Sequence, residues 1–145
     1  IGEPSAEAAK IAVGSAVPLD GRLEVPLRGR DVGTGLPKEV IVKNSHIRFA
    51  LGKSLKTIVD AIKEVIEETP PELVGDMLKQ GIHLCGGGAL LRGVDQLIGK
   101  ETLVATELVE DPLTCAVRGL GQIVDNFEMN RGLLDNPLKP LAISL

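Results

Sequence analysis

Three consecutive glycines, Gly86-Gly87-Gly88, followed by Ala89, sit between an apolar tetrapeptide, Ile82-His83-Leu84-Cys85, and a helical pattern that runs to Ile98. Glycine lets a backbone approach a phosphate with no Cβ in the way. A helix that follows brings unpaired N–H groups and the positive end of its dipole. The run therefore fits an anion cradle, and it fits equally well a tight strand-to-helix turn that needs glycine for its geometry. It is not a Walker A loop, because no Gly-Lys-Ser/Thr follows. It also lacks the G-x-G-x-x-G spacing of a dinucleotide fingerprint. Glu7 and Lys10 form a second group. A carboxylate can accept hydrogen bonds from ribose hydroxyls, and the aliphatic stem of a lysine can flank an adenine. Local sequence alone favours a plainer reading, an exposed i,i+3 pair worth about 0.2–0.5 kcal/mol.

The other polar residues carry weaker signals. His46 falls in the first turn of a long helix, and His83, within a short apolar strand, reads as a satisfied core histidine. Two histidines so far apart make no metal site. Asp111, before Pro112, reads as a helix cap, and Arg92 as a solvent-exposed side chain near the glycine turn. Cys85 and Cys115 lack C-x-x-C spacing and read as free buried thiols of a cytosolic protein, neither a zinc site nor a redox pair. No serine and histidine are arranged as a nucleophile pair.

The totals exclude several classes. With 16 basic and 20 acidic residues mixed along 145, and a formal net charge of −4, the chain has no clustered cations for counterion release, so nucleic acid is not expected as a partner. Its only aromatic residues are Phe49 and Phe127, so stacking on bases is nearly unavailable. No apolar run approaches the roughly 18 residues that span a bilayer. The opening Ile1-Gly2-Glu3, without Met, reads as a fragment or a processed product.

These candidates need elements to hold them. Ser5 as N-cap, an Ala-rich run from Ala6 to Ala12 and Gly14 as a stop predict a short helix carrying Glu7 and Lys10. Arg22 to Arg28 alternates polar and apolar residues, which predicts a half-buried strand that Pro26 pushes to a sheet edge. Gly29 to Pro37 is a Gly-rich connection, Val40-Ile41-Val42 a second strand, and Ala12 to Val17 a possible third. The stripe Ile47, Leu51, Leu55, Ile58, Ile62, Val65, Ile66 predicts a helix over 46–68, capped by Asn44 or Ser45 and ended by Thr69-Pro70-Pro71. A short helix follows Pro71, then a strand over 82–85, a helix from Ala89 to Ile98 and a strand over 103–109. A last helix runs from Asp111-Pro112 to about Phe127. Gly119 and Gly121 inside that helix suggest that a backbone or ligand comes close. Residues 129–145 read as an irregular tail whose Leu133, Leu134, Leu138, Leu141, Ile143 and Leu145 could dock on a surface. The order fits an α/β platform with an inserted β-rich lobe.

Five ordered blocks add up to more than any one of them. They are Ile1-Gly2-Glu3 with Ala6-Glu7 and Lys10; Arg28-Gly29-Arg30-Asp31 through Thr34-Gly35-Leu36-Pro37; Glu68-Thr69-Pro70-Pro71-Glu72-Leu73; Gly86-Gly87-Gly88-Ala89-Leu90-Leu91-Arg92-Gly93; and Glu110-Asp111-Pro112-Leu113-Thr114-Cys115. In this order, over about residues 1–125, the chain resembles the MreB family of bacterial actin-like, rod-shape-determining proteins.

That resemblance implies the second half of an actin-like (ribonuclease H-like) ATPase fold, in the α/β class, with an inserted small α+β lobe. Residues 1–13 and 66–128 would belong to a large inner lobe that walls the nucleotide cleft. Residues 14–65 would form the small outer lobe. Gly86, Gly87, Gly88 and Ala89 would meet the phosphates and sugar of ATP, and Glu7 and Lys10 would line the adenosine pocket. The intact protein would bind ATP with Mg²⁺, assemble into filaments on the inner face of the membrane, and work with cell-wall synthesis and membrane-linked shape proteins. Its localisation would be cytoplasmic, membrane-associated through those filaments. Both phosphate loops, the metal-positioning Asp and the residue that orients the attacking water would lie in the other half, so no catalytic residue is expected here and the chain alone should be inactive. A non-catalytic interaction module, or half of a small-molecule kinase of the same superfold, are the alternatives. Cys85 stands where the family tends to have Thr.

Overall fold

The structure, a computed structural model, describes residues 1–134. Helix α1 spans Glu3–Val13, strand β1 Glu24–Arg30, strand β2 Pro37–Lys43 and helix α2 Asn44–Glu68. Helix α3 (Pro71–Gln80) leads to strand β3 (Ile82–Leu84), a 3-10 turn (Gly87–Leu90), helix α4 (Val94–Thr102) and strand β4 (Thr106–Leu108). Helices α5 (Cys115–Asp125) and α6 (Phe127–Leu134) follow.

β1 and β2 form an antiparallel hairpin, with Glu24 opposite Lys43 and Arg30 opposite Pro37. Its turn is organised by one carboxylate. Asp31 accepts the Gly33 and Thr34 amides on Oδ1, at 2.8 and 3.2 Å, and Lys38 Nζ on Oδ2 at 2.6 Å. Lys38 first, then those two amides, hold the Asp31 carboxyl below its ordinary value. β3 and β4 form a separate parallel pair, Ile82 opposite Thr106 and Leu84 opposite Leu108.

The packed centre lies between α2 and α4. Leu55 and Val59 meet Val94, Ile98 and Ala16, flanked by Leu51, Ile62, Ile82, Leu84, Leu91 and Leu97. Of the predicted α2 stripe, Leu55 is buried with Leu51 and Ile62 packed beside it, while Ile58 and Val65 remain half exposed or more. Next to this core is a buried polar knot. Asn44 Nδ2 donates to the Val13 carbonyl at 2.6 Å and to Ser15 Oγ at 2.9 Å, and Ser15 Oγ donates to the Val17 carbonyl at 2.6 Å. The knot fixes the end of α1 against the start of α2. Asn44 is therefore a tie between segments rather than a helix cap. The α2 N-terminus uses His46 instead, whose Nδ1 accepts the Lys43 amide at 3.3 Å.

Several expectations need correcting. α1 starts at Glu3 with Pro4 in its first turn, so Ser5 lies inside the helix and not at its cap. Residues 12–17 make no third strand. α1 runs on to Val13, and Ser15 contributes only an isolated bridge to Arg92. The glycine run does not open a helix directly, because a 3-10 turn intervenes and α4 begins only after Gly93. Gly93 has φ +72°, and a Cβ there would stand 2.4 Å from Val17 Cγ2. That close crossing of the 15–17 segment explains where the chain must turn. α4 also runs to Thr102, which shortens β4 to three residues. Asp111 does not cap α5 with its side chain. Its carbonyl accepts the Thr114 and Cys115 amides at 3.1 Å each, its φ is +46°, and its carboxylate takes the Thr114 hydroxyl. Residues 129–134 are helical, not irregular, whereas Leu138, Leu141, Ile143 and Leu145 lie outside the described residues. No described atom comes within 4 Å of a Cβ built on Gly119 or Gly121, so the close neighbour expected there is not among the described residues.

Candidate functional site

α1 carries the first pair of candidates on one face. Glu7 Oε2 and Lys10 Nζ are 2.8 Å apart, with both side chains well exposed. They flank an open groove of about 630 Å³ whose other wall is α2, contributed by Ile47, Ala50 and Leu51. No local signal joins these three to Glu7 and Lys10. Ile47 and Leu51 belong to the apolar stripe that predicts α2, and Ala50 is too small to signal anything. The groove thus has a charged lip and an apolar floor, a combination suited to a flat ring bearing hydroxyls.

The glycine run stands at the carboxyl end of the parallel pair. Leu84 O accepts the Val109 amide at 3.1 Å, and the Pro112 carbonyl accepts the Gly86 amide at 2.7 Å. The chain leaving β3 is thereby joined to the chain leaving β4. In α/β folds this crevice beyond the strand ends is where ligands bind. Gly86 has φ +82°, which only glycine adopts without strain. A Cβ on Gly86 or on Gly88 would meet no atom within 4 Å, so the backbone faces open space. The Ala89 amide donates to Gly86 O at 3.2 Å and closes the 3-10 turn. The Gly87 and Gly88 amides have no acceptor among the described residues. Two adjacent free N–H groups on an uncovered backbone are what an anion or a sugar hydroxyl can take.

Residues 86–89 do not line the α1–α2 groove. They are connected to α1 through Arg92, whose guanidinium donates to the Ile11 and Gly14 carbonyls at 3.1 and 3.2 Å. The Ala16 amide returns a bond to Arg92 O at 2.8 Å. Arg92 is exposed, as expected, but its guanidinium is engaged by backbone carbonyls. It satisfies carbonyls at the α1 C-terminus, where a cation also complements the helix dipole.

Two further predictions change. His83 is half exposed rather than buried, and its Nδ1 lies 3.0 Å from Glu107 Oε1 on the neighbouring strand. Cys85 is exposed and Cys115 partly so, not a pair of buried thiols. Their surroundings meet at the Pro112 carbonyl, which accepts both the Gly86 amide next to Cys85 and Cys115 Sγ. The Cys115 side chain, by hydrogen bonding first and by charge second, pushes the Cys85 thiol up. Their separation of thirty residues hid this, because only the parallel pairing of β3 with β4 brings the two loops side by side.

Known proteins share this fold. The family pattern described as MreB/Mbl protein matches residues 1–132. The chain belongs to the MreB/Mbl family. It is 41% identical over 128 residues to the cell shape-determining protein Mbl of Bacillus subtilis strain 168, covering 88% of this chain and 38% of that one. It is likewise 41% identical over 132 residues to the cell shape-determining protein MreB of Escherichia coli strain K12, covering 91% and 38%. Crystal structures of MreB5 of Spiroplasma citri, one bound to ADP and one to AMPPNP, superimpose with a TM-score of 0.85 at 35% identity, over 91% of this chain and 40% of each of those. The fold is thus the α/β actin-like fold expected from the sequence. The chain spans about two fifths of the length of these MreB/Mbl relatives.

Proposed function

We propose that this chain walls one side of the nucleotide cleft of an MreB-type shape-determining ATPase. In that reading Gly87 and Gly88 offer their amides to the nucleotide, Gly86 and Ala89 hold the turn that aims them, and Glu7 and Lys10 take the sugar and the base. The carrying observation is the uncovered backbone at Gly86 and Gly88, with the Gly87 and Gly88 amides free among the described residues, at the carboxyl end of a parallel strand pair. The nucleotides bound by the two MreB5 structures support it. Among the described residues no group of three His, Cys, Asp or Glu is placed to hold a metal ion, so the Mg²⁺ that accompanies ATP would be held by the remainder of the intact protein. Hydrolysis needs an aligned water and charge stabilisation at the γ-phosphate. One wall does not supply them, and this chain's part is binding. The intact protein would polymerise into filaments attached to the inner membrane, from the cytoplasmic side, and guide cell-wall synthesis. Residues 1–13 and 66–128 would serve as its inner lobe and 14–65 as its outer one.

A fluorescent ATP analogue titrated into the purified chain tests the site. Gly88→Val projects a branched side chain into the open space without disturbing packing, and Glu7→Ala removes the sugar acceptor. Each should weaken binding about tenfold, the loss of one good hydrogen bond or of ligand space. Equal binding by wild type and both variants refutes the placement. Phosphate release from ATP by the purified chain should be undetectable.

A further inference from the structure

The glycine turn is tied to the segment before α5 at more than one point. Leu84 O accepts the Val109 amide, and the Gly86 amide donates to Pro112 O at 2.7 Å. Cys85 sits between these two attachment points. Cys115 Sγ donates to that same Pro112 carbonyl at 3.6 Å. One carbonyl oxygen thus gathers the amide next to Cys85 and the thiol of Cys115. Cys85 is open to solvent, so a small reagent can reach it.

We propose that Cys85 and Cys115 form a reversible internal disulfide when the protein meets a low-molecular-weight disulfide, a modification that clamps the Gly86–Gly88 turn to the start of α5. The chemistry is two exchanges. A thiolate of one cysteine attacks a sulfur of the reagent, its S–S bond breaks, and one small thiolate leaves. The second cysteine then attacks the protein sulfur of the mixed disulfide and expels the other small thiolate. The protein loses two electrons and two protons. The reagent gains both and ends as two thiols. The Cys115 side chain, by hydrogen bonding first and by charge second, holds the Cys85 thiol above its ordinary value. None of this depends on what binds at the glycine turn.

Oxidised glutathione applied to the reduced 145-residue chain tests the pair. The expected product has lost both titratable thiols, has fallen in mass by two hydrogens, stays monomeric on a non-reducing gel, and yields a proteolytic fragment linking Cys85 to Cys115. A dithiol reductant should reverse it. Exchange of the Gly86 amide should slow about tenfold in the oxidised form, because its bond to Pro112 then opens less freely. Cys85→Thr keeps a small side chain after the strand end. It should leave a single glutathione adduct on Cys115. Wild-type protein carrying separate adducts on each cysteine, or crosslinked into dimers, overturns the proposal. Unchanged Gly86 exchange in the internally linked form overturns the clamp.

Discussion

Leu55, Val59, Val94 and Ile98 are each less than a tenth exposed, whereas Leu113, Val117, Leu120 and Val124 are each between 62% and 69% exposed. Both groups are aliphatic and both recur at helical spacing. α2 and α4 find each other, and the knot at Asn44 sets their start. Among the described residues α5 finds nothing comparable, and it has no buried residue. β3 and β4 beside it are a two-stranded parallel pair, a unit that occurs almost only within larger sheets covered on both faces. Amphipathic spacing announces a buried face but does not say where its cover comes from. On the proposed reading, the cover of α5 is the remainder of an MreB-type protein, of which this chain spans about two fifths.

The largest effect should come from the packed centre. Ile98→Ala is expected to cost about 3 kcal/mol, and Val124→Ala within about 0.5 kcal/mol. Denaturant midpoints of the two variants check this, and comparable losses would erase the distinction between the regions. Asn44→Ala strips the Val13 carbonyl and the Ser15 hydroxyl of a partner in a buried setting, for about 2 kcal/mol, again read from unfolding curves. A cost near zero would mean that water replaces the amide and that the knot does not fix α1. The exposed stripe should drive association of the isolated chain. Leu120→Asp should raise the concentration needed by about tenfold, or 1.4 kcal/mol. Light scattering of a wild-type sample that stays monomeric at high concentration counts against a covered face.

The smallest effect is electrostatic and lies on the packed side. Lys63 Nζ is 2.7 Å from Glu101 Oε2 and joins α2 to the end of α4. Lys63 holds the Glu101 carboxyl below its ordinary value of 4.5. As pH falls, the unfolded chain takes up this proton first. The pair's contribution is therefore complete above that ordinary value and fades as pH drops through the lower folded value. Lys63→Met should lower the midpoint slightly at neutral pH and leave it unchanged in acid, which flattens that limb, and added salt should do the same. An acid limb identical in both proteins would remove the pair from the account.

The helices and the hairpin were legible because their signals are local. The stripe of α2, Pro71 at the start of α3 and the Asp31–Gly35 turn each carry their own geometry. The glycine run was legible as a place where backbone lies open, and Glu7 and Lys10 as neighbours on a face. What the sequence hid depends on long-range pairing. Asn44 read as a cap because its partners, Val13 and Ser15, are about thirty residues away. His83 read as core because strand exposure depends on which strand lies beside it, here one carrying Glu107. The groove floor at Ile47, Ala50 and Leu51 required knowing that α1 lies along α2. The meeting of Cys85 with Cys115 required the parallel register of β3 and β4.

Arg92 acts as a strut. It grips the last carbonyls of α1 with its guanidinium while its own backbone belongs to the turn that follows Leu91. The glycine bend and the helix bearing Glu7 and Lys10 are therefore mechanically one piece. A nucleotide that drew the bend inward would drag the end of α1 with it, so occupancy at one wall would be felt along the other without any element having to unfold.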